Sequence, residues 1–279
     1  MMRVHVEGVG LCGPGLDGWA EGAAILAGRR EYVPAEIRVP QPALLPANER
    51  RRAVRTVRLA LAVGAEAFAC ADRDPGDVAT VFASSGGDGE TIHQILDVLA
   101  SSSRELSPTR FHNSVHNAPA GYWSIATGSR AGSSSLCCHD DSFAAGLLEA
   151  VVQAHSAGEP VALIVYDVRY PSPLGEVRKI GAPFAVALVL APEATDAAFA
   201  ALDLDLRPGS NLDSLDLPAL EELRRSIPAA RSLPLLAALA RHDGASLSVR
   251  FLDDMVLRMT VTPLRRDGAS EPGCGRGTS

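Results

Sequence analysis

The sequence has no apolar run approaching the roughly 20 residues that a membrane-spanning helix requires. Its N-terminus, Met1-Met2-Arg3-Val4-His5-Val6, passes straight into a strand-like alternation rather than the longer apolar segment of a signal peptide. No membrane span is expected, and a cytoplasmic location is. Aromatic residues are scarce, at 5%, so the chain lacks the raw material for a surface of stacking side chains. Positive charge is not in excess: the formal net charge is −7, which argues against nucleic-acid binding and against anionic membrane surfaces. The five cysteines, Cys12, Cys70, Cys137, Cys138 and Cys274, are odd in number and without paired spacing. That pattern fits a reducing compartment rather than a disulfide framework.

What is present is a chain of 279 residues, 47% hydrophobic, able to bury a sizeable core as one large domain or two closely joined halves. Abundant Ala, Leu and Val predict layered helix and sheet packing. Residues 112–150 organise the rest. Residues 117–128 combine small side chains with Tyr122, Trp123 and Ile125 and suit a closely packed helix. A Gly/Ser-rich turn at 128–135 follows, then an apolar-to-polar step at Leu136-Cys137-Cys138-His139-Asp140-Asp141. Beyond it Phe143, Ala144, Leu147, Leu148, Val151 and Val152 recur at helical spacing, so a second helix starts near Asp140 or Asp141. A polar residue delivered to a helix N-terminus is well placed to act as a nucleophile, because the free N–H groups and the dipole stabilise negative charge there.

At these residues the sequence resembles the beta-ketoacyl synthases. Asn117, Ala120 and Gly121 match the family's Asn-x-x-Ala-Gly element, Gly128 to Ser133 its glycine turn, and Ser142 to Ala150 its buried helix; residues 157–165 look like the next buried strand. The resemblance implies an α/β, thiolase-like fold of layered αβαβα type, here with a reduced C-terminal half. In the family a cysteine opens the buried helix. Counting back from Gly158 puts that position on Asp141, and counting forward from the Gly128 turn puts it on Asp140. A carboxylate cannot form the acyl thioester this chemistry needs, so the resemblance implies a degenerate nucleophile position and no catalytic residue. It covers about residues 1–205, the ketosynthase N-terminal-like domain. A reduced C-terminal portion, 206–264, and a disordered tail, 265–279, are expected to follow. The family's second half supplies two catalytic histidines, one in a His-x-Thr-x-Thr context and one before an Asn-x-x-Gly-rich loop. His242, in Ala240-Arg241-His242-Asp243-Gly244, matches neither.

Taken in order, residues 4–11 read as a strand and 19–27 as a helix. Residues 33–48, with four prolines, read as an extended connection, and 49–72 as one long helix. Residues 78–83 are a buried strand ending in Ser84-Ser85-Gly86-Gly87-Asp88-Gly89, which lacks the lysine of a nucleotide loop. A helix at 91–99 carries Ile92, Ile95, Leu96 and Leu99 on one face, a stripe that any amphipathic helix shows and that the resemblance makes an acyl-tunnel wall. Strands are expected at 161–167, 183–190 and 199–206, helices at 219–226 and 233–241, and a hairpin at 246–262.

The resemblance points to the chain-length-factor-like partner of an active beta-ketoacyl synthase, of the kind found in polyketide and aryl polyene pathways. Such a subunit completes a heterodimer, works with acyl carrier protein through the complex, and limits chain length by closing the tunnel. One more elongation against a sealed wall costs overpacking of roughly 1–3 kcal/mol. Wall candidates are Ile92, Ile95, Leu96, Leu99, Phe111 and Trp123. Interface candidates are Ser133, Ser134, Ser135, Leu136, Cys137 and Cys138, within the family's pairing strand at 129–138. Arg50, Arg51, Arg52, Arg55 and Arg58 read as the solvated start of a helix or as a docking patch for an acidic carrier protein. No cofactor is implied. A rival reading is a stand-alone acyltransferase or hydrolase using Cys137 or Cys138, with His112, His116 or His139 as base. Against it, adjacent residues of an extended segment face opposite ways, so one thiol belongs to the core. A metal site at Cys137, Cys138, His139 and Asp141 lacks the gap between cysteines that zinc sites use. Asp140 and Asp141 also suit plain helix capping.

Overall fold

The computed structural model describes residues 1–264; the expected disordered tail and its Cys274 lie outside the described residues. In chain order the elements are β1 (Met2–Gly13), β2 (Leu16–Asp17), α1 (Trp19–Leu26), α2 (Ala47–Arg52), α3 (Arg55–Ala71), β3 (Ala79–Ala83), α4 (Gly89–Ala100), α5 (Pro108–Asn113), α6 (Ala118–Thr127), β4 (Ser133–Leu136), α7 (Ser142–Ala157), β5 (Val161–Asp167), α8 (Leu174–Val177), β6 (Phe184–Ala191), β7 (Ala200–Pro208), α9 (Pro218–Ser226), α10 (Leu233–Arg241), β8 (Ala245–Phe251) and β9 (Met255–Pro263). The strands form one sheet in the order β4-β3-β5-β6-β1-β7-β9-β8, with β2 paired to β1. Only β4, β3 and β5 run parallel to one another. The segment after residue 205 supplies α9, α10, β8 and β9, and its two strands continue the same sheet through β7.

Both faces of the sheet are covered over β3, β5, β6 and β1, which is why these central strands are continuously buried, whereas β8 and β9 alternate buried and exposed residues. In β5, Val161, Leu163 and Val165 face α7, in one core cluster with its Leu147 and Val151. Ala162, Ile164 and Tyr166 face the other way, towards Val63 of α3 and Tyr122 of α6. β1 lies so close to α3 that two of its glycines are obligatory: a Cβ on Gly10 would sit 1.9 Å from the Val63 carbonyl oxygen. Backbone cannot yield as a side chain would, so Gly10→Ala is expected to cost about 3 kcal/mol or more of stability, read by urea denaturation.

The long helix predicted at 49–72 is instead two helices with a break at Ala53-Val54. Asn113, buried, donates from Nδ2 to the Arg52 carbonyl at 3.0 Å. Arg50 reaches back to the carbonyls of Ala43 and Leu45. These contacts close α2 and let α3 start in a new direction. The serines predicted as part of a turn form β4, paired to β3 on one side and, among the described residues, with no strand on the other.

Candidate functional site

β4 feeds Cys137 and Cys138, then a 3-10 turn, His139–Asp141, and then α7. The turn is sharp: His139 has φ of 50°, a left-handed conformation that a non-glycine residue adopts at a cost. It is locked by Ser142, whose Oγ accepts from the Cys138 N–H at 3.0 Å and donates to the His139 carbonyl at 2.8 Å. Asp141 takes the N-cap position of α7 but makes no side-chain cap hydrogen bond. The expectation that an aspartate caps this helix is therefore corrected. Both carboxylates turn instead to arginines.

Asp140 meets Arg178 at 2.6 Å and Arg231 at 3.0 Å; Asp141 meets Arg231 at 2.9 Å and Arg250 at 3.2 Å. The arginines come from the loop after α8, from a 3-10 turn at Ala229–Ser232, and from β8. Burial alone would raise the Asp140 carboxyl, but Arg178 and Arg231 together with His139 outweigh it and hold it below the usual carboxylate range. Asp141 is 4% exposed. The position expected to hold a nucleophile thus holds two carboxylates fixed by three guanidiniums.

Behind this network lies Asp167, at the end of β5 and fully buried. It accepts from the Ser85 N–H at 2.9 Å, the Ser85 hydroxyl at 2.7 Å and the Ala229 N–H at 2.8 Å. Burial pushes its carboxyl up to about 6, more than these donors pull it down. A carboxyl raised on folding stabilises fully below its ordinary value near 3.8, and that contribution is lost as pH rises through about 6. Relative to Asp167→Asn, the protein is expected to lose about 2 kcal/mol between pH 4 and pH 7, measured by urea denaturation across that range.

The Cys137 thiol donates to the Ser85 carbonyl at 3.1 Å, and burial raises the Cys138 thiol, with Cys137 and Asp141 adding to it. A raised thiol holds less thiolate, the opposite of activation. The candidate bases differ in their surroundings. His112 lies edge-on to Tyr122, His139 faces Asp140, and the Nε2 atom of His116 is buried without a hydrogen-bond partner. Among the described residues no three His, Cys, Asp or Glu side chains are grouped to hold a metal ion.

The predicted wall residues divide. Ile92, Leu96 and Leu99 of α4 are exposed, Ile95 is half-buried, and Phe111 of α5 is 64% exposed. Together with Val115 these form an uncovered apolar face. Trp123 does not belong to it. Its ring lies 5.4 Å from that of Phe68 and fills the space above Gly64, so it is a core residue between α6 and α3. Of the interface candidates, Ser133 and Cys137 are exposed, and Ser134, Ser135, Leu136 and Cys138 are half-buried along the sheet edge.

A family model described as beta-ketoacyl synthase, N-terminal domain, matches residues 25–246. The chain belongs to that family. The match reaches past residue 205 and includes Arg178 and Arg231. No curated protein matches the chain. Among solved structures, it is similar to a chain of a ketosynthase in complex with its chain length factor from Xenorhabdus doucetiae. There the identity is 23% and the TM-score 0.71, covering 93% of this chain and 100% of that one. The ishigamide ketosynthase/chain length factor is 13% identical with a TM-score of 0.70, covering 95% and 100%. A type II polyketide synthase acyl-carrier protein in complex with its ketosynthase bound to the hexaketide is 13% identical at 0.72, covering 94% and 99%. These likenesses establish a thiolase-like fold of ketosynthase type in a short chain.

Arg178, Arg231, Arg250 and Asp167 escaped the sequence reading. One signal was present: Arg231 is a lone charge in Ile227-Pro228-Ala229-Ala230-Arg231-Ser232-Leu233, an apolar run where a charged residue requires a buried partner.

Proposed function

We propose that this chain is a non-catalytic, chain-length-factor-like subunit that pairs with an active beta-ketoacyl-acyl carrier protein synthase and shapes its acyl tunnel. The setting is polyketide, aryl polyene or fatty-acid-type biosynthesis in the cytoplasm. The observation that carries this reading is the head of α7, where family chemistry needs a cysteine and this chain places Asp140 and Asp141 under three arginines. Two of its structural relatives are themselves described as ketosynthase and chain length factor together, and a third includes an acyl-carrier protein. No helix of the described residues is long and apolar enough to cross a membrane.

The division of labour follows from the uncovered surfaces. The free edge of β4 offers unpaired backbone N–H and C=O groups to a strand of the partner. The apolar face of α4 and α5 would close the far end of the tunnel, with Ile92, Ile95, Leu96, Leu99 and Phe111 as its wall. The arginines of α2 give an acidic carrier protein a face to approach. The test is reconstitution of condensation with the ketosynthase encoded nearest to this chain. Activity is expected to vanish when this chain is omitted and to survive Cys137→Ala with Cys138→Ala. Loss of activity in the double alanine variant would instead favour an enzyme that uses one of those thiols.

A further inference from the structure

Asp140 and Asp141 each face guanidiniums, but the carboxyl behind them does not. Among the described residues Asp167 is in no ion pair, and every group that bonds its oxygens is a neutral donor: the Ser85 N–H and hydroxyl, the Ser84 hydroxyl at 3.4 Å and the Ala229 N–H. Arg178 attracts it only from a distance and is spent on Asp140, and Arg231 is spent on Asp140 and Asp141. Its other titratable neighbours give no relief. Burial keeps the phenols of Tyr166 and Tyr170 protonated, the Cys137 thiol donates to the Ser85 carbonyl, and Asp88, beyond Tyr166, adds negative charge. A carboxylate buried without a counter-ion is costly, and either a proton or water relieves it.

The chain that leaves β5 closes over this carboxyl. The Tyr170 ring lies on the turn that Ser85 begins: a Cβ on Gly86 would sit 1.8 Å from the Tyr170 hydroxyl oxygen, and one on Gly89 2.2 Å from its Cδ1. Further along, Arg178 reaches Asp140 at 2.6 Å. Between these two anchors no residue from 171 to 177 is buried, and Val177 is 85% exposed. A segment held at two points, with little apolar burial between them, is of the kind that opens locally at low cost.

We propose that residues 170–181 form a strap over the Asp167 carboxyl, held down while that carboxyl is neutral and released when it ionises. Closed, the strap keeps water from a carboxyl that has no cation. Open, it lifts Tyr170 from the Ser85 turn and lets water in. The direction follows from linkage: burial holds the carboxyl at about 6 beneath the strap, against an ordinary value near 3.8 in water. Closure is fully supported below the lower value, and that support is lost as pH rises through the upper one. The device belongs to the lone chain and needs no partner.

The test is hydrogen–deuterium exchange of the full chain at pH 5 and pH 8, read by mass spectrometry and corrected for the intrinsic pH dependence of exchange. Peptides covering 85–91 and 170–181 are expected to be less protected than α3 at both pH values, the mark of local opening. Their protection should fall about tenfold from pH 5 to pH 8, the ratio that the buried and ordinary values of the carboxyl give. In Asp167→Asn, whose amide keeps the shape and cannot ionise, protection of these peptides should be the same at both. Tyr170→Ala, at a half-buried position, tests the cover independently should Asp167→Asn fold poorly. It is expected to lower protection of 85–91 at pH 5 about tenfold or more. Protection equal to that of α3, no fall between the two pH values, an equal fall in Asp167→Asn, or unchanged protection in Tyr170→Ala would overturn the proposal.

Discussion

Arg231→Met is expected to lower the unfolding free energy by about 3 kcal/mol, the cost of leaving buried carboxylates without their shared partner. Among the described residues Arg231 is the only side chain in an ion pair with both aspartates, at 3.0 and 2.9 Å, and it is itself mostly buried. Burial pulls its guanidinium below the usual arginine range, although Asp140 and Asp141 oppose that pull. Urea denaturation of Arg231→Met, Asp141→Asn and the double variant closes a cycle. Coupling should be evident, with Asp141→Asn costing less once Arg231 is gone. The effect also has a pH signature. A carboxyl held low on folding stabilises above its ordinary value and loses that contribution as pH falls through its folded one. Asp140 is such a group, so the gap between wild type and Arg231→Met should narrow in acid. Additive single variants would mean that the network is incidental.

Leu96→Glu combined with Phe111→Asp is expected to weaken pairing with the ketosynthase at least ~100-fold while leaving the lone chain folded. Leu96 is 57% exposed and Phe111 64% exposed, so charge there costs the isolated chain little. In the complex each would forfeit roughly 1.5–3 kcal/mol of apolar burial and set a charge in a dry wall. Calorimetry or co-purification of the variant reads the loss, and circular dichroism checks the fold. Undiminished pairing would mean that the partner covers another face.

Much of the fold was legible because local signals agreed with the global arrangement. The continuous apolar runs of β5 and β6 marked strands covered on both sides, and Leu233–Arg241 announced itself by helical spacing. The break between α2 and α3 was not legible, since it is made by Asn113, which lies far along the chain and donates to the Arg52 carbonyl. The same holds for the site. That a carboxylate stands at the head of α7 could be counted from Gly158, but its partners come from residues 178, 231 and 250, brought together only by folding. Trp123 illustrates the reverse error: a bulky residue in the right stretch faces α3 rather than the open surface, because Gly64 leaves it room there.

The central claim, a non-catalytic subunit completed by a ketosynthase, is tested most directly by native mass spectrometry. The protein is expressed alone and then together with the ketosynthase encoded nearest to it. The account predicts a one-to-one complex of the two chains under co-expression. A stable lone protein that ignores the ketosynthase, and whose Cys137 or Cys138 reacts rapidly with an acyl thioester, would contradict it.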